Sequence, residues 1–324
     1  MKPIRRMLTV LALLAIAIPA EPLMAQGLTA RPVRLIVPFA AGGVVDIVAR
    51  AIAQELGQRN PVIVDNRVGA NGNIGMEACA KAAPDGHTVC VGTGVIISLN
   101  PFAYAKMPFD PVRDLVPVAH FGTLDIAIAV NATLPVNSVR ELVDLARAKP
   151  GIVTWSSLGS GSTAHLYLEW LQARTGAQFN HIPYKGQPPM VQAALSGEVD
   201  VTMLPPGALL PLVQKGRLKV IAMMSGKSRS PLMPEVPTFM EQGYDLDFRN
   251  WIGMFLQRDT PNDIVQRLNA DMNKLVADGK FTARYLSTMG ISPTGGTPEE
   301  FAAFLKSNRE TAAELARIAK LRPE

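Results

Sequence analysis

The sequence lacks most of the features that mark metal proteins and small disulfide-rich domains. Only two of its 324 residues are cysteines, Cys79 and Cys90. This excludes a disulfide-rich scaffold and any site with four cysteine ligands. The four histidines, at positions 87, 120, 165 and 181, show no metal-ligand spacing with one another or with the cysteines. We therefore predict no bound metal, and the two cysteines form either one disulfide or two buried, inert thiols.

Nucleic-acid and nucleotide motifs are also missing. There is no run of Lys and Arg and no mixing of basic with aromatic residues, so we predict no nucleic-acid partner. No Gly-x-Gly-x-x-Gly motif follows a predicted strand, and no Gly-Lys-Ser/Thr loop is present. The regular spacing of Gly69, Gly72 and Gly75 is explained more simply by a loop that precedes a helix.

The longest apolar run is too short to span a membrane. It covers the 12 residues 7–18, whereas a spanning helix needs about 20 residues. Basic residues at positions 2, 5 and 6 precede it, and a small residue follows at position 25. This pattern predicts a secretory signal peptide, residues 1–25, cleaved before residue 26 or after the alternative Ala20. Cleavage lowers the formal net charge from +5 to +3 and places the mature protein in the periplasm.

The mature sequence alternates between strand and helix patterns. Strands are predicted at 33–37, 62–64 and 88–91, with helices at 44–57 and 73–83 between them. A second series has strands at 126–130, 152–155, 181–184, 199–203 and 218–223, and helices from 138, where Ser138 and Glu141 form a capping box, and at 163–175, 189–196 and 207–215. A strand at 251–256 and helices at 262–277 and 299–319 close the chain.

This order predicts an α/β protein with two domains, each a mostly parallel sheet flanked by helices. Domain 1 comprises residues 28–125 plus 251–324, and domain 2 comprises residues 126–250. Because domain 2 is inserted into domain 1, two chain crossings join the domains and leave a cleft between them.

Two glycine-containing loops follow predicted strands and open helices, one in each domain. Such loops place helix N–H groups, and the positive end of the helix dipole, at the strand ends where ligands bind in α/β sheets. We predict that together they hold a carboxylate. The residues predicted to bind the ligand are Phe39, Ala40, Ala41, Gly42, Gly43, Asp46, Thr93, Ser157, Gly159, Ser160, Gly161, Ser162, Thr163, His165, Tyr184 and Pro205.

Two of these residues have alternative interpretations. Asp46 is the third residue of a helix capped by Gly43, where its side chain can bond back to the loop. The structural role is favoured, and a ligand contact would require a protonated or ammonium-bearing ligand. Ser162 and His165 lie three residues apart and could form a hydrolytic pair, but no Gly-x-Ser-x-Gly elbow is present and no acid is placed to orient the histidine.

The motifs also resemble those of a known family, the Bug receptors of tripartite tricarboxylate transporters. The resemblance covers essentially the whole mature chain. It rests on Pro38-Phe39…Gly42-Gly43-x-x-Asp46-x-x-x-Arg50, Val64-x-Asn66-Arg67-x-Gly69-Ala70-x-Gly72-Asn73-Ile74-Gly75, Pro84-Asp85-Gly86-x-Thr88, Gly159-x-Gly161-Ser162-x-x-His165, Pro183-Tyr184-x-Gly186 and Gly295-Gly296-Thr297-Pro298-Glu299.

The resemblance implies a two-domain Venus-flytrap fold of the type II-like class, a monomer, no cofactor, and a carboxylate held by backbone N–H groups and bridging waters. It also implies membrane permease subunits as partners. One position departs from the family, because Leu204-Pro205-Pro206 stands where the family usually has an Asp-Asn pair. This change favours a less polar, aromatic or otherwise bulky carboxylate.

The leading hypothesis is a periplasmic receptor that captures a small organic carboxylate and delivers it to a membrane transporter. Under this hypothesis the protein is not an enzyme. One alternative is a sensor subunit that presents the ligand to a membrane signalling protein. The other is a periplasmic hydrolase that uses Ser162 and His165.

Overall fold

The first strands and helices follow the predicted β-α-β-α-β order. The computed structural model describes residues 31–57, 61–226, 229–246 and 248–319, and the predicted signal peptide lies outside these residues. The series consists of Val33–Val37 (β1), Val44–Leu56 (α1), Val62–Asn66 (β2), Asn73–Ala80 (α2) and Thr88–Thr93 (β3). Strand β1 pairs in parallel with both β2 and β3. The apolar face of α1, including Val48 and Ile52, is fully buried.

A long strand that sequence analysis missed follows this series. After a π-helical turn at Val95–Leu99 and the short helix Asn100–Ala103 (α3), the chain forms Leu115–Leu124 (β4). Pro117 obscured the strand, because proline cannot donate to a sheet ladder and argues against a central strand. The structure accommodates it on both sides. The strand Ile291–Pro293 pairs only with residues 122–124, and on the other side Pro117 lies opposite Phe255 next to a register shift.

The second series builds a separate sheet. It consists of Ile126–Asn131 (β5), Val139–Ala148 (α4), Thr154–Ser157 (β6), Thr163–Thr175 (α5), Asn180–Pro183 (β7), Gln187–Ser196 (α6), Val201–Leu204 (β8), Pro206–Gln214 (α7) and Leu218–Met224 (β9). The strand order is β7-β6-β8-β5-β9. The predicted cap of α4 is confirmed, since the Ser138 hydroxyl accepts a hydrogen bond from the Glu141 N–H at 3.1 Å. We call this sheet and its helices the second lobe.

The chain then returns to the first sheet. The returning elements are Asn250–Gln257 (β10), Asn262–Ala277 (α8), Gly279–Phe281 (α9), Ile291–Pro293 (β11) and Pro298–Ile318 (α10). The strand order of this six-stranded sheet, which with its helices forms the first lobe, is β11-β4-β10-β3-β1-β2. Among the described residues, no helix has both the length and the apolar composition needed to cross a membrane.

Both sheets are mixed, which corrects the prediction of mostly parallel sheets. Strand β10 runs antiparallel to β3 and β4, and β5 runs antiparallel to β8 and β9. Sequence periodicity does not reveal strand direction. Strands β5 and β10, which follow the chain crossings, and also β11 run against the other strands of their sheets. Strands β5 and β10 each enter their sheet from the other lobe rather than through a helix packed on the same sheet.

A disulfide joins α2 to β3 within the first lobe. Cys79 and Cys90 are bonded, with a Cα–Cα distance of 6.1 Å, and both residues are fully buried. This settles the two alternatives that the sequence left open. The bond closes a short loop and constrains the unfolded chain, as expected of an exported protein.

Candidate ligand-binding site

The loop between β1 and α1 is held by a buried charge. The carboxylate of Asp46 accepts hydrogen bonds from the Gly42 N–H at 2.9 Å, from Nε of Arg50 at 2.9 Å and from Nδ2 of Asn66 at 2.8 Å. Burial alone would raise the pKa of Asp46, but the hydrogen bonds and the guanidinium charge of Arg50 outweigh it and lower the pKa. The predicted structural role of Asp46 is confirmed, since its carboxylate bonds back to the loop.

The loop between β6 and α5 is held by serine and histidine side chains. The Ser157 hydroxyl accepts from the Gly159 N–H at 2.9 Å, and its oxygen lies 2.6 Å from Nε2 of His181. The Gly161 N–H donates to Nδ1 of His165 at 3.1 Å. Gly159 and Gly161 have φ of +105° and +75°, the left-handed region that favours glycine. Serine and histidine side chains therefore stabilise this loop, as Asp46 and Arg50 stabilise the loop between β1 and α1.

A cavity lies between the two lobes where the loops face each other. Its empty volume is about 810 Å³, including solvent at its mouth. Seven of the predicted ligand-binding residues line it: Phe39, Ala40, Gly43, Thr93, Ser162, Thr163 and Pro205. Strand ends and helix starts of both lobes therefore meet at one place, as the two-loop argument requires.

The other predicted site residues lie outside the lining of this cavity in the described part of the chain. They are Ala41, Gly42, Asp46, Ser157, Gly159, Ser160, Gly161, His165 and Tyr184. Of these nine residues, most of the ones whose hydrogen bonds are described above stabilise one of the two loops. Tyr184 points elsewhere, since its hydroxyl donates to Glu198 at 2.7 Å, and burial followed by the Glu198 contact raises its pKa to about 12.

Most of the lining that sequence analysis missed is apolar. These residues are Val44, Val45, Val95, Leu124, Ile126, Leu158, Ala164, Met190, Met203 and Leu204, together with Gly186 and the polar Asn71, Gln187 and Asn250. No Lys or Arg lies in the described lining. Leu204 and Pro205 form part of the apolar wall, at the position where the sequence departs from the family pattern.

Two hydroxyl groups in the cavity lack partners. Thr93, at the end of β3, is 1% exposed, and Thr163, at the start of α5, is 8% exposed. Neither Oγ1 atom makes a hydrogen bond to any residue in the described ranges. Buried hydroxyls are normally hydrogen-bonded, because leaving one unpaired costs about 1–3 kcal/mol. Each lobe therefore contributes one cavity-lining residue whose hydroxyl has no hydrogen-bond partner in the described part of the chain.

Helix N-termini surround the same cavity. The first residues or caps of α1, α5, α6 and α7 all contribute to its lining, through Gly43, Ser162, Gly186 and Pro205 respectively. Each helix start carries a partial positive charge. Free N–H groups come mainly from α1 and α5, because two prolines follow the first residue of α6, and α7 is capped by one proline and begins with another. These helix starts favour a small anion, although no basic side chain lies in the described lining.

Asn71 reaches the cavity through a strained segment that local pattern did not predict. Ala70 and Asn71 have φ of +45° and +50°, which non-glycine residues rarely adopt. The Asn71 side chain donates to Oδ1 of Asn100 at 2.9 Å, and Asn100 donates back to the Asn71 carbonyl at 3.1 Å. This reciprocal contact stabilises the unusual backbone at the edge of the cavity.

The geometry does not assemble the Ser162–His165 pair. The Ser162 hydroxyl accepts a hydrogen bond from the backbone N–H of His165 at 3.4 Å and so caps α5. The imidazole Nδ1 accepts from the Gly161 N–H, and Nε2 lies 3.6 Å from a carboxylate oxygen of Glu169. The expectation that no acid lies beside this histidine was therefore wrong. Both groups have structural partners here, whereas a nucleophile needs its hydroxyl bonded to a base.

Comparison with known proteins places the chain in a family. The model of the tripartite tricarboxylate transporter family receptor (TctC) matches residues 44–320. BugT of Bordetella pertussis is 35% identical over 316 residues, covering 91% of this chain and 94% of BugT. The chain therefore belongs to the tripartite tricarboxylate transporter receptor family, and the resemblance to Bug receptors is confirmed.

Solved structures agree with this assignment. The structure of R. palustris Rpa4515 with adipate has a TM-score of 0.85 and 31% identity, covering 91% of this chain and 99% of that one. The periplasmic binding protein BugD has a TM-score of 0.84 and 28% identity, with the same coverage. The predicted two-domain α/β fold of periplasmic binding proteins is confirmed, and the chain is a solute-binding receptor of the periplasm.

Proposed function

We propose that this receptor captures a small organic carboxylate in the cleft between its lobes and delivers it to the membrane permease subunits of a tripartite transporter. The observation that carries the proposal is the pair of buried, unpartnered hydroxyls of Thr93 and Thr163, set among four helix N-termini. The bound adipate in the structure of the relative Rpa4515 supports the same ligand class.

The proposed chemistry is anion capture by neutral donors. A carboxylate between Thr93 and Thr163 would accept hydrogen bonds from both hydroxyls and from N–H groups at the start of α5. Hydrogen bonds to a charged group contribute about 1.5–3 kcal/mol each, and helix dipoles add about 0.3–1 kcal/mol each. These donors replace the water that the carboxylate loses on entering the cavity.

We divide the predicted site residues by role. The seven that line the cavity, named above, contact the ligand. Of the other nine, Asp46, Ser157, Gly159, Gly161 and His165 keep the two loops in the shapes that present those contacts, as their hydrogen bonds indicate. The apolar wall at Met203, Leu204 and Pro205 favours a ligand with an apolar body.

Several further features belong to this proposal. The first domain comprises residues 28–125 plus 251–324 and the second comprises residues 126–250. The signal peptide of residues 1–25 is cleaved, and the mature receptor is a monomer that needs no cofactor and has no catalytic activity.

Calorimetric titration of the mature protein with a carboxylate panel tests the proposal. We expect saturable binding of at least one carboxylate, with no chemical change of that ligand on prolonged incubation. Its uncharged amide analogue should not bind. Equal binding of the amide, or turnover of the carboxylate, would contradict a carboxylate receptor.

A further inference from the structure

One side chain of the second lobe binds the N-terminus of helix α1 in the first lobe. Oε1 of Gln187, the first residue of α6, accepts a hydrogen bond from the Val44 N–H at 3.0 Å. Val44 is the first residue of α1, so this N–H has no partner within its own helix. The carboxamide oxygen therefore satisfies a donor that an anion would otherwise use.

The surrounding backbone fits this contact closely. A Cβ atom built on Gly43, the residue that caps α1, would lie 3.1 Å from Oε1 of Gln187. Gly186 has φ of +127°, and a Cβ atom there would lie 2.9 Å from Cβ of Ala40 in the first loop. Glycines on both sides thus allow the start of α6 to approach the start of α1. No larger residue could replace Gly186 without moving Ala40.

The rest of the cavity has few polar side chains, which are the hydroxyls of Thr93, Ser162 and Thr163 and the amides of Asn71 and Asn250. Thr93 lies at the end of β3 and Thr163 at the start of α5, and both carry an unpartnered hydroxyl. The remaining lining is mostly aliphatic. A second ionised carboxylate in the same ligand would have to compete with Gln187 for the Val44 N–H, share the few other polar groups with the first carboxylate, or lie against the apolar wall. Burying an unpaired charge in such surroundings is strongly unfavourable.

We infer that Gln187 determines specificity by filling the α1 anion subsite with a neutral oxygen, so that the receptor selects monocarboxylates with an apolar body over dicarboxylates. This inference rests on the proposed carboxylate function and deepens it. Gln187 takes the place of a second ligand carboxylate, while Thr93 and Thr163 receive the first.

Matched ligand pairs test the inference. Hexanoate and adipate share a six-carbon chain, and benzoate and terephthalate share a ring, so each pair differs by one carboxylate. Calorimetry on the wild-type protein should show at least tenfold tighter binding of the monocarboxylate in any pair that binds. Gln187→Ala exposes the Val44 N–H and should reduce that ratio at least tenfold.

Two further variants separate specificity from general damage. Gln187→Glu keeps the side-chain length and places a carboxylate at the α1 start, so the preference for monocarboxylates should be retained or increased. Gln214→Ala changes an exposed glutamine at the end of α7 and should leave the ratio unchanged. Melting temperatures of all variants report whether each one folds, and the ratio of affinities is insensitive to a uniform loss of binding.

The outcomes distinguish the two proposals. A wild-type protein that binds the dicarboxylate as well as or better than its partner, or a ratio unchanged in Gln187→Ala, overturns the role of Gln187 and leaves the carboxylate receptor standing. Failure of every acid in both pairs to bind the wild-type protein at millimolar concentration overturns the inference. If the wider panel of carboxylates also shows no binding, the proposed function fails with it.

Discussion

The two loops at the cavity are held in shape by different kinds of side chain. The loop before α1 is stabilised by the buried carboxylate of Asp46 and the guanidinium of Arg50. The loop before α5 is stabilised by serine hydroxyls and imidazole nitrogens. Both present a helix N-terminus to the cavity. The comparison shows that two loops with the same place between a strand and a helix can be held in shape either by a buried ion pair or by serine and histidine side chains.

The largest expected difference between the loops concerns their glycines. Gly161 has positive φ, and a Cβ atom there would lie 2.6 Å from Cβ of Ala103 in the opposite lobe. Gly161→Ala should therefore hinder closure of the cleft and weaken ligand binding by about 100-fold, or about 3 kcal/mol. Gly43 has φ of −79°, so Gly43→Ala should have a smaller effect. Titration calorimetry of each variant measures both.

Gly159→Ala is the matched control for this prediction. It shares the positive φ of Gly161, but an added Cβ atom meets nothing within 4 Å among the described residues. Backbone strain alone costs about 1–2 kcal/mol. Equal loss of affinity in Gly159→Ala and Gly161→Ala would show that strain, rather than contact across the cleft, explains the requirement for glycine.

The stability of the protein should depend more on the central residue of the loop before α1, which carries a buried charge, than on that of the loop before α5. Asp46→Asn removes the charge opposite Arg50 and should lower the free energy of unfolding by about 2–3 kcal/mol, because Asp46 is only 2% exposed. Ser157→Ala should lower it by about 1 kcal/mol. Denaturant unfolding measures both values, and a larger loss in Ser157→Ala would reverse the comparison.

The stability contributed by the loop before α1 should also decrease at acidic pH. The folded-state pKa of Asp46 is depressed, so its contribution to stability is complete above the ordinary carboxyl pKa of about 3.9 and is lost as pH falls through the lower folded value. Unfolding curves at acidic pH should show this loss in the wild-type protein and less of it in Asp46→Asn. Identical pH profiles would exclude Asp46 as a source of acid sensitivity.

The two threonines should contribute similarly although they come from different lobes. Thr93→Val and Thr163→Val each remove one unpartnered hydroxyl and keep the side-chain shape. Each should weaken carboxylate binding by about tenfold, or about 1.4 kcal/mol, without lowering the stability of the ligand-free protein. Calorimetry and thermal melts on the same samples check both parts. A loss of stability with unchanged affinity would assign that hydroxyl to the fold.

Salt should have the smallest effect. In the proposed site the ligand is held by short-range donors, and the described lining has no basic side chain to be screened. Raising the ionic strength from about 0.01 M to 0.1 M shortens the Debye length from about 30 Å to 10 Å, yet affinity should change less than about twofold. A steep dependence on salt in calorimetric titrations would locate the ligand at a basic surface instead of between the loops.

Local sequence patterns predicted most of the fold and the two loops. The elements from β5 to β9 are all present near the predicted positions, because buried strands and amphipathic helices have distinct periodicities. Both loops were found because glycine follows a strand and precedes a helix. By contrast, β4 was hidden by Pro117, and antiparallel pairing of the crossing strands has no signature in a single segment.

The sequence by itself determined the alternation of elements, the two helix starts that face the ligand and the family to which the chain belongs. Tertiary structure alone decided which residues reach the cavity. Gln187 meets Val44 across 143 positions of sequence, and Thr93 and Thr163 face one site from different lobes. Periodicity describes how a segment presents its own faces, whereas these contacts depend on the relative placement of two sheets, which long-range packing determines.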